Sequence, residues 1–94
     1  MKAQRFESVW DAIEDSPEEA ANMKARSSLM MSLSQVVKAW SLTQAEAAKR
    51  LRITQPRLND LLKGRINKFS LDTLVDLSTR AKCRVQVKLL KMAA

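Results

Sequence analysis

With no histidine and one cysteine, Cys83, among 94 residues, the chain lacks the ligands of a structural zinc site. It also cannot close an internal disulfide. That usage suits a reduced, cytoplasmic setting. No apolar run approaches the ~18 residues of a membrane-spanning helix, and the first residues form no apolar signal region. Neither a membrane partner nor export is expected. The tools of catalysis are missing too: there is no histidine base and no glycine-rich phosphate loop. Glu14 with Asp15, and Glu18 with Glu19, read as acids flanking a helix and not as a placed pair. No enzyme and no cofactor are expected. Glycine occurs once and proline twice, both prolines at helix starts, which is not the composition of a disordered tail. The expectation is a single domain, 1–94, with a modest core, close to the size at which a partner adds to stability.

Positive charge is what the chain has in excess. The net charge is +7, unevenly spread. Residues 1–22 hold Lys2 and Arg5 against Glu7, Asp11, Glu14, Asp15, Glu18 and Glu19, a net of −4, so the remainder carries +11. From Lys49 to Lys68 there are seven basic residues against Asp60 alone. By itself such a run can be a solvated face. Here it coincides with a motif, and that turns the reading toward nucleic acid.

The motif runs from Thr43 to Gly64, T-Q-A-E-A-A-K-R-L-R-I-T-Q-P-R-L-N-D-L-L-K-G. Thr43 and Glu46 have the spacing of a capping box, and Leu51 closes the first helix on its apolar side. After the spacer Arg52-Ile53, Thr54 caps a second helix with Pro56 in its first turn, where a missing N–H costs little. Leu58, Leu61 and Leu62 follow at helical spacing, and Gly64 is a natural stop. Two short helices around a tight turn are a helix-turn-helix, the second being the recognition helix.

These residues resemble the Cro/repressor-like (XRE) helix-turn-helix family, most closely the antitoxin-like regulators of bacterial toxin–antitoxin pairs. The matching positions are Thr43, Gln44, Glu46, Ala47, Ala48, Leu51, Ile53, Gln55, Pro56, Arg57, Leu61 and Gly64. Phe69-Ser70-Leu71-Asp72, Phe6-Glu7 and Pro17-Glu18-Glu19-Ala20 are similar as well, so the resemblance covers most of the chain. Members often have glycine at the turn where this chain has Arg52; a left-handed arginine there costs about 1 kcal/mol. The resemblance implies a lambda-repressor-like domain, a homodimer, control of the protein's own operon and neutralisation of a cognate toxin.

Before the motif, Phe6, Val9, Trp10 and Ile13 make an apolar cluster in an acidic arm or short helix over 1–15. Trp10 there either covers one end of the core or meets a protein partner. Ser16 reads as an N-cap, with Pro17 first in a long helix over 17–40 and two acids in its first turn. Leu29, Leu33, Val36, Val37 and Trp40 repeat at three and four, Met23, Met30 and Met31 widen that stripe, and Arg26 and Lys38 point away. Beyond the motif, Ile66 and Phe69 anchor a basic loop inward, and Ser70 caps a helix over 70–82. The period then changes. Cys83, Val85, Val87 and Leu89 alternate with Arg84, Gln86 and Lys88, a half-buried strand over 83–90. Unless residues near the N-terminus form a small strand beside it, it is expected to pair antiparallel with its copy in a homodimer; a frayed helical tail is the alternative. Cys83 is expected to be a packing residue. The expected architecture is thus mainly α, about five helices and a C-terminal strand.

A recognition helix presents its early residues to base edges, so Gln55, Pro56, Arg57, Asn59 and Asp60 are the base-reading candidates. Gln55 suits adenine, Arg57 suits guanine or a phosphate, and Pro56 offers apolar contact to a thymine methyl. Asp60 can accept from cytosine or orient Arg57. The resemblance implies base-reading roles at Gln55, Pro56 and Asp60 and a phosphate role at Gln44. Lys49, Arg52, Lys63, Arg65, Asn67 and Lys68 position the duplex, each lysine having solubilising charge as its plainer role. Two functions follow. One is a sequence-specific repressor that reads an inverted-repeat operator in double-stranded DNA and represses by occluding the promoter. The other is a protein-interaction module that neutralises a ribonuclease-like toxin through Phe6, Val9, Trp10 and Glu14. RNA would also attract the basic field, but its deep, narrow groove resists a helix.

Overall fold

A computed structural model describes residues 16–92. Within them lie four α-helices, α1 (Pro17–Ala39), α2 (Gln44–Leu51), α3 (Gln55–Leu62) and α4 (Leu71–Arg80), with a 3₁₀ turn over Ile66–Lys68. Each α-helix begins on a hydroxyl that accepts from an N–H three residues on. These are Ser16 from Glu19, Thr43 from Glu46, Thr54 from Arg57 and Ser70 from Thr73. A side chain thereby satisfies one of the donors every helix start leaves open.

The four ends are as regular as the starts. Within two residues of each helix the chain turns left-handed, at Ser41 (φ 56°), Arg52 (φ 58°), Gly64 (φ 72°) and Lys82 (φ 65°). After α2, Ile53 N–H donates to Ala48 O (3.0 Å) and Arg52 N–H to Lys49 O (3.1 Å). The same six-to-one and five-to-two pattern recurs at Arg65 and Gly64 after α3, and at Cys83 and Lys82 after α4. This is the Schellman arrangement, which normally recruits glycine. A chain with one glycine can relieve only one of these turns. The other three carry a side chain where its Cβ crowds the following carbonyl, at about 1 kcal/mol or more each.

The core is the space these helices enclose. Leu51, Leu58, Leu61, Phe69, Leu74 and Leu77 are its largest fully buried side chains, each stabilising by about 1.5–3 kcal/mol through burial. Leu33 and Val37 of α1 close over them. α2 packs on α3, and α1 lies across α4, the 3₁₀ turn and α3. Polar groups at the contacts are used as ties. Arg80 Nη1 donates to Leu51 O at the end of α2 (3.1 Å), and Ser34 Oγ to Leu61 O near the end of α3 (3.4 Å). Both acceptors are carbonyls of a last helical turn, which have no partner within the helix itself; Leu61 O accepts from the Gly64 N–H as well.

Several expectations require correction. Arg26 does not point away: Nη1 donates to Ile66 O (3.4 Å) and Phe69 O (3.3 Å), and its buried Nε has no partner among the described residues. Met31 does not widen the stripe. It is 62% exposed, one residue and about 100° past the buried Met30. Helices number four among the described residues, not five, since the arm over 1–15 lies outside them. The strand over 83–90 is not present in the single chain, where residues 83–92 have no regular secondary structure. A strand exists by pairing, and the described residues offer this segment no edge. Its alternation survives as far as half-buried Cys83 and Val85, whereas Val87 and Leu89 are 85% and 95% exposed. Among the described residues no helix is long and apolar enough to cross a membrane.

Candidate nucleic-acid interface

α3 is fixed from beneath and open at its start. Leu58 and Leu61 are wholly buried, and Thr54 caps the helix through the Arg57 N–H (3.3 Å). The first two helical residues, Gln55 and Pro56, are exposed. At the equivalent point of α2, Gln44 is exposed beside a complete capping box. Thr43 N–H donates to the Glu46 carboxylate (3.0 Å), Thr43 Oγ donates to it as well (3.1 Å), and Glu46 N–H returns to Thr43 Oγ (3.1 Å). The Thr43 backbone N–H, then the Thr43 hydroxyl, and more weakly Arg50 hold the Glu46 carboxyl below the ordinary carboxylate range.

The remaining base-reading candidates are less exposed, and two of them, Arg57 and Asp60, have partners within the chain. Asn59 is half-buried. Arg57 lies with its guanidinium 4.4 Å from the centroid of the Phe69 ring, and its Nη1 donates to Lys68 O (3.1 Å). Asp60 does not orient Arg57. Its carboxylate takes Arg65 Nη1 at 3.2 Å and Lys68 Nζ at 3.9 Å. The Arg65 backbone N–H also donates to Asp60 O (3.0 Å), so helix and loop are joined twice at that pair. The seven phosphate candidates, Gln44, Lys49, Arg52, Lys63, Arg65, Asn67 and Lys68, are all exposed. Polar contacts gather Arg65 and Lys68 with Arg57 and Asp60. They draw none of the other five into that cluster among the described residues.

Two arginines absent from the sequence-based set shape this face. Arg50 lies over the Trp40 ring, 4.5 Å from its centroid, bracing α2 against the end of α1. Arg26 ties α1 to the loop behind Phe69. The signal for Arg26 was present: it stands three residues after Met23 and four before Met30, on the same helical face. Phe6, Val9, Trp10 and Glu14, the candidate protein-contact residues, lie outside the described residues.

Compared with known families, residues 12–89 match the one described as helix-turn-helix domain. That is most of the chain, and the protein belongs to this family. No curated protein matches it. Domains of this kind read DNA by seating the second helix of the pair in the major groove. Family and basic helix pair together suggest a DNA-binding regulator.

Proposed function

We propose that the protein is a sequence-specific, double-stranded-DNA-binding transcriptional repressor, an XRE-like regulator of the antitoxin-like kind acting in the cytoplasm on its own operon. The observation that carries this reading is the start of α3. Gln55 and Pro56 stand exposed on a helix anchored by Leu58 and Leu61, inside a run of seven cations and one acid. An exposed amide supplies base-edge readout, and the surrounding cations supply affinity and register. Repression is by occlusion and needs no catalytic residue.

The repressor acts as a homodimer that places two α3 helices in successive major grooves about 34 Å apart. Cys83, Val85, Val87 and Leu89 form the seam. Val87 and Leu89 are apolar and solvent-exposed, and pairing two copies of the segment removes both the apolar surface and the unpaired backbone. An apolar groove between α1 and α4, lined by Leu29, Val36 and Val75, runs beside the tail and gives the paired segments a floor. The test is selection of duplexes by the protein from a random-sequence pool. Enrichment of a two-fold-related site supports the reading; no enrichment over input sinks it.

A second reading, neutralisation of a basic ribonuclease-like toxin, has one observation in its favour. The first 22 residues carry a net of −4 in a chain of +7, which would steer a cationic partner to that end. Titration against the product of an adjacent gene tests it, and the absence of a complex at micromolar concentration would remove it.

A further inference from the structure

Arg57 and Asp60 have the positions of base readers but the contacts of another task. We infer that Arg57 is a backbone-phosphate clamp preset by the loop that follows α3, and that Asp60 is a positioning residue for the same loop. Base discrimination then falls to Gln55, Pro56 and Asn59. The inference rests on the DNA-binding reading above.

The argument begins at Phe69, which is 1% exposed and cannot follow a moving partner. On one side its ring carries the Arg57 guanidinium at 4.4 Å. On the other, its carbonyl accepts from Arg26 Nη1 at 3.3 Å, and Arg26 is itself held between α1 and the loop. Arg57 Nη1 is further committed to Lys68 O. Bidentate reading of guanine requires the guanidinium to lie in the plane of the base pair with one edge free. Reaching that pose would break the stack and the hydrogen bond together. A guanidinium has five N–H donors; one is used here, and the residue is only half-buried. Stacked and tethered, the group is pre-organised to grip an anion at its open edge. A phosphate of the duplex backbone is that anion.

Asp60 completes the unit. Its side chain is only 17% exposed and faces two cations, Arg65 at 3.2 Å and Lys68 at 3.9 Å. To accept from a cytosine amino group it would have to release both. Through Arg57 and Asp60, residues 65–69 move with α3 as one piece, so cations on the loop and amides on the helix meet the duplex in a fixed relation.

The experiment compares wild type, Arg57→Ala, Arg57→Lys and Gln55→Ala. Each is titrated with a duplex selected by the wild-type protein, its single-base variants and a scrambled duplex, across a salt series. Arg57→Ala is expected to weaken selected and scrambled duplexes by the same factor and to leave every single-base preference within about twofold. The slope of log K against log salt should fall by about 1. Arg57→Lys keeps the charge and should keep the slope, whereas Gln55→Ala should erase preference at one base pair without changing it. Loss of one base preference in both Arg57 variants, with the slope of Arg57→Ala intact, would overturn the assignment and leave DNA binding standing. Failure of the wild type to bind any duplex at low salt would remove the DNA-binding reading, and this assignment with it.

Discussion

Arg52 is both a left-handed turn residue and a candidate phosphate contact, and Arg52→Gly separates the two. The residue closes α2 in a left-handed conformation, φ 58° and ψ 45°, which costs a residue with a Cβ about 1–2 kcal/mol. Glycine removes that cost but enlarges the freedom of the unfolded chain by about 0.4–1 kcal/mol. The difference predicts that Arg52→Gly is more stable than wild type by about 0.5–1 kcal/mol. In a domain of this size that raises the melting temperature by about 2–8 °C. The substitution also removes a cation at the turn between the two motif helices. If that cation meets a phosphate, the salt slope of DNA binding falls by about 0.9. Two controls divide the effects. Lys82→Gly relieves the same kind of turn after α4 and should stabilise without touching DNA affinity. Arg52→Ala removes the charge and keeps the left-handed strain, so its slope falls while its stability stays within about 0.5 kcal/mol of wild type. Urea unfolding at neutral pH and duplex titration over a salt series read both quantities. A less stable Arg52→Gly would refute the strain argument, because the turn would then gain something from the arginine that its backbone geometry does not explain.

Other consequences are equally open to measurement. Leu58→Ala empties a wholly buried site on the recognition helix and should cost about 2–5 kcal/mol, seen as a large drop in urea midpoint; a change below about 1 kcal/mol would mean the core closes differently. Glu46→Gln tests the capping box by pH. The folded-state pKa of Glu46 is lowered, so its contribution is present above the ordinary carboxylate range and lost as pH falls through the lowered value. The wild-type advantage over Glu46→Gln should be visible at neutral pH and gone in acid; an advantage that persists in acid contradicts the assignment. Val87→Lys with Leu89→Lys changes two side chains exposed in the single chain. It should leave the helical circular dichroism intact while sedimentation equilibrium shifts from dimer to monomer, and an unshifted dimer would place the seam elsewhere.

What the sequence disclosed and what it hid divide along physical lines. Helix starts were legible at all four places because a cap is a local event, one hydroxyl and one N–H three residues apart. The inward residues Leu58 and Leu61 were legible because helical spacing fixes which side chains share a face. Helix ends were harder. Glycine announces a left-handed turn, but Ser41, Arg52 and Lys82 adopt it without glycine, and of the three only Arg52 was marked in the sequence, by the glycine that related motifs carry there. At Arg26 charge and periodicity disagree, and periodicity wins: its spacing from Met23 and Met30 puts it on the buried face. Asp60 and Arg57 could not be assigned from position alone. Their partners, Arg65, Lys68 and Phe69, lie five to twelve residues along the chain, brought near by the turn at Gly64. The alternation of the tail was plain in the sequence, but among the described residues there is no second strand for it to pair with.

The most direct test of the account is a footprint of the purified protein on DNA upstream of its own gene, with scrambled duplex as competitor and salt as the variable. Two protected patches related by a two-fold axis and one helical turn apart, surviving competitor and weakened in Gln55→Ala, are the predicted result. Diffuse protection that disappears with modest salt or competitor would contradict it, showing that the charge around α3 attracts DNA without reading it.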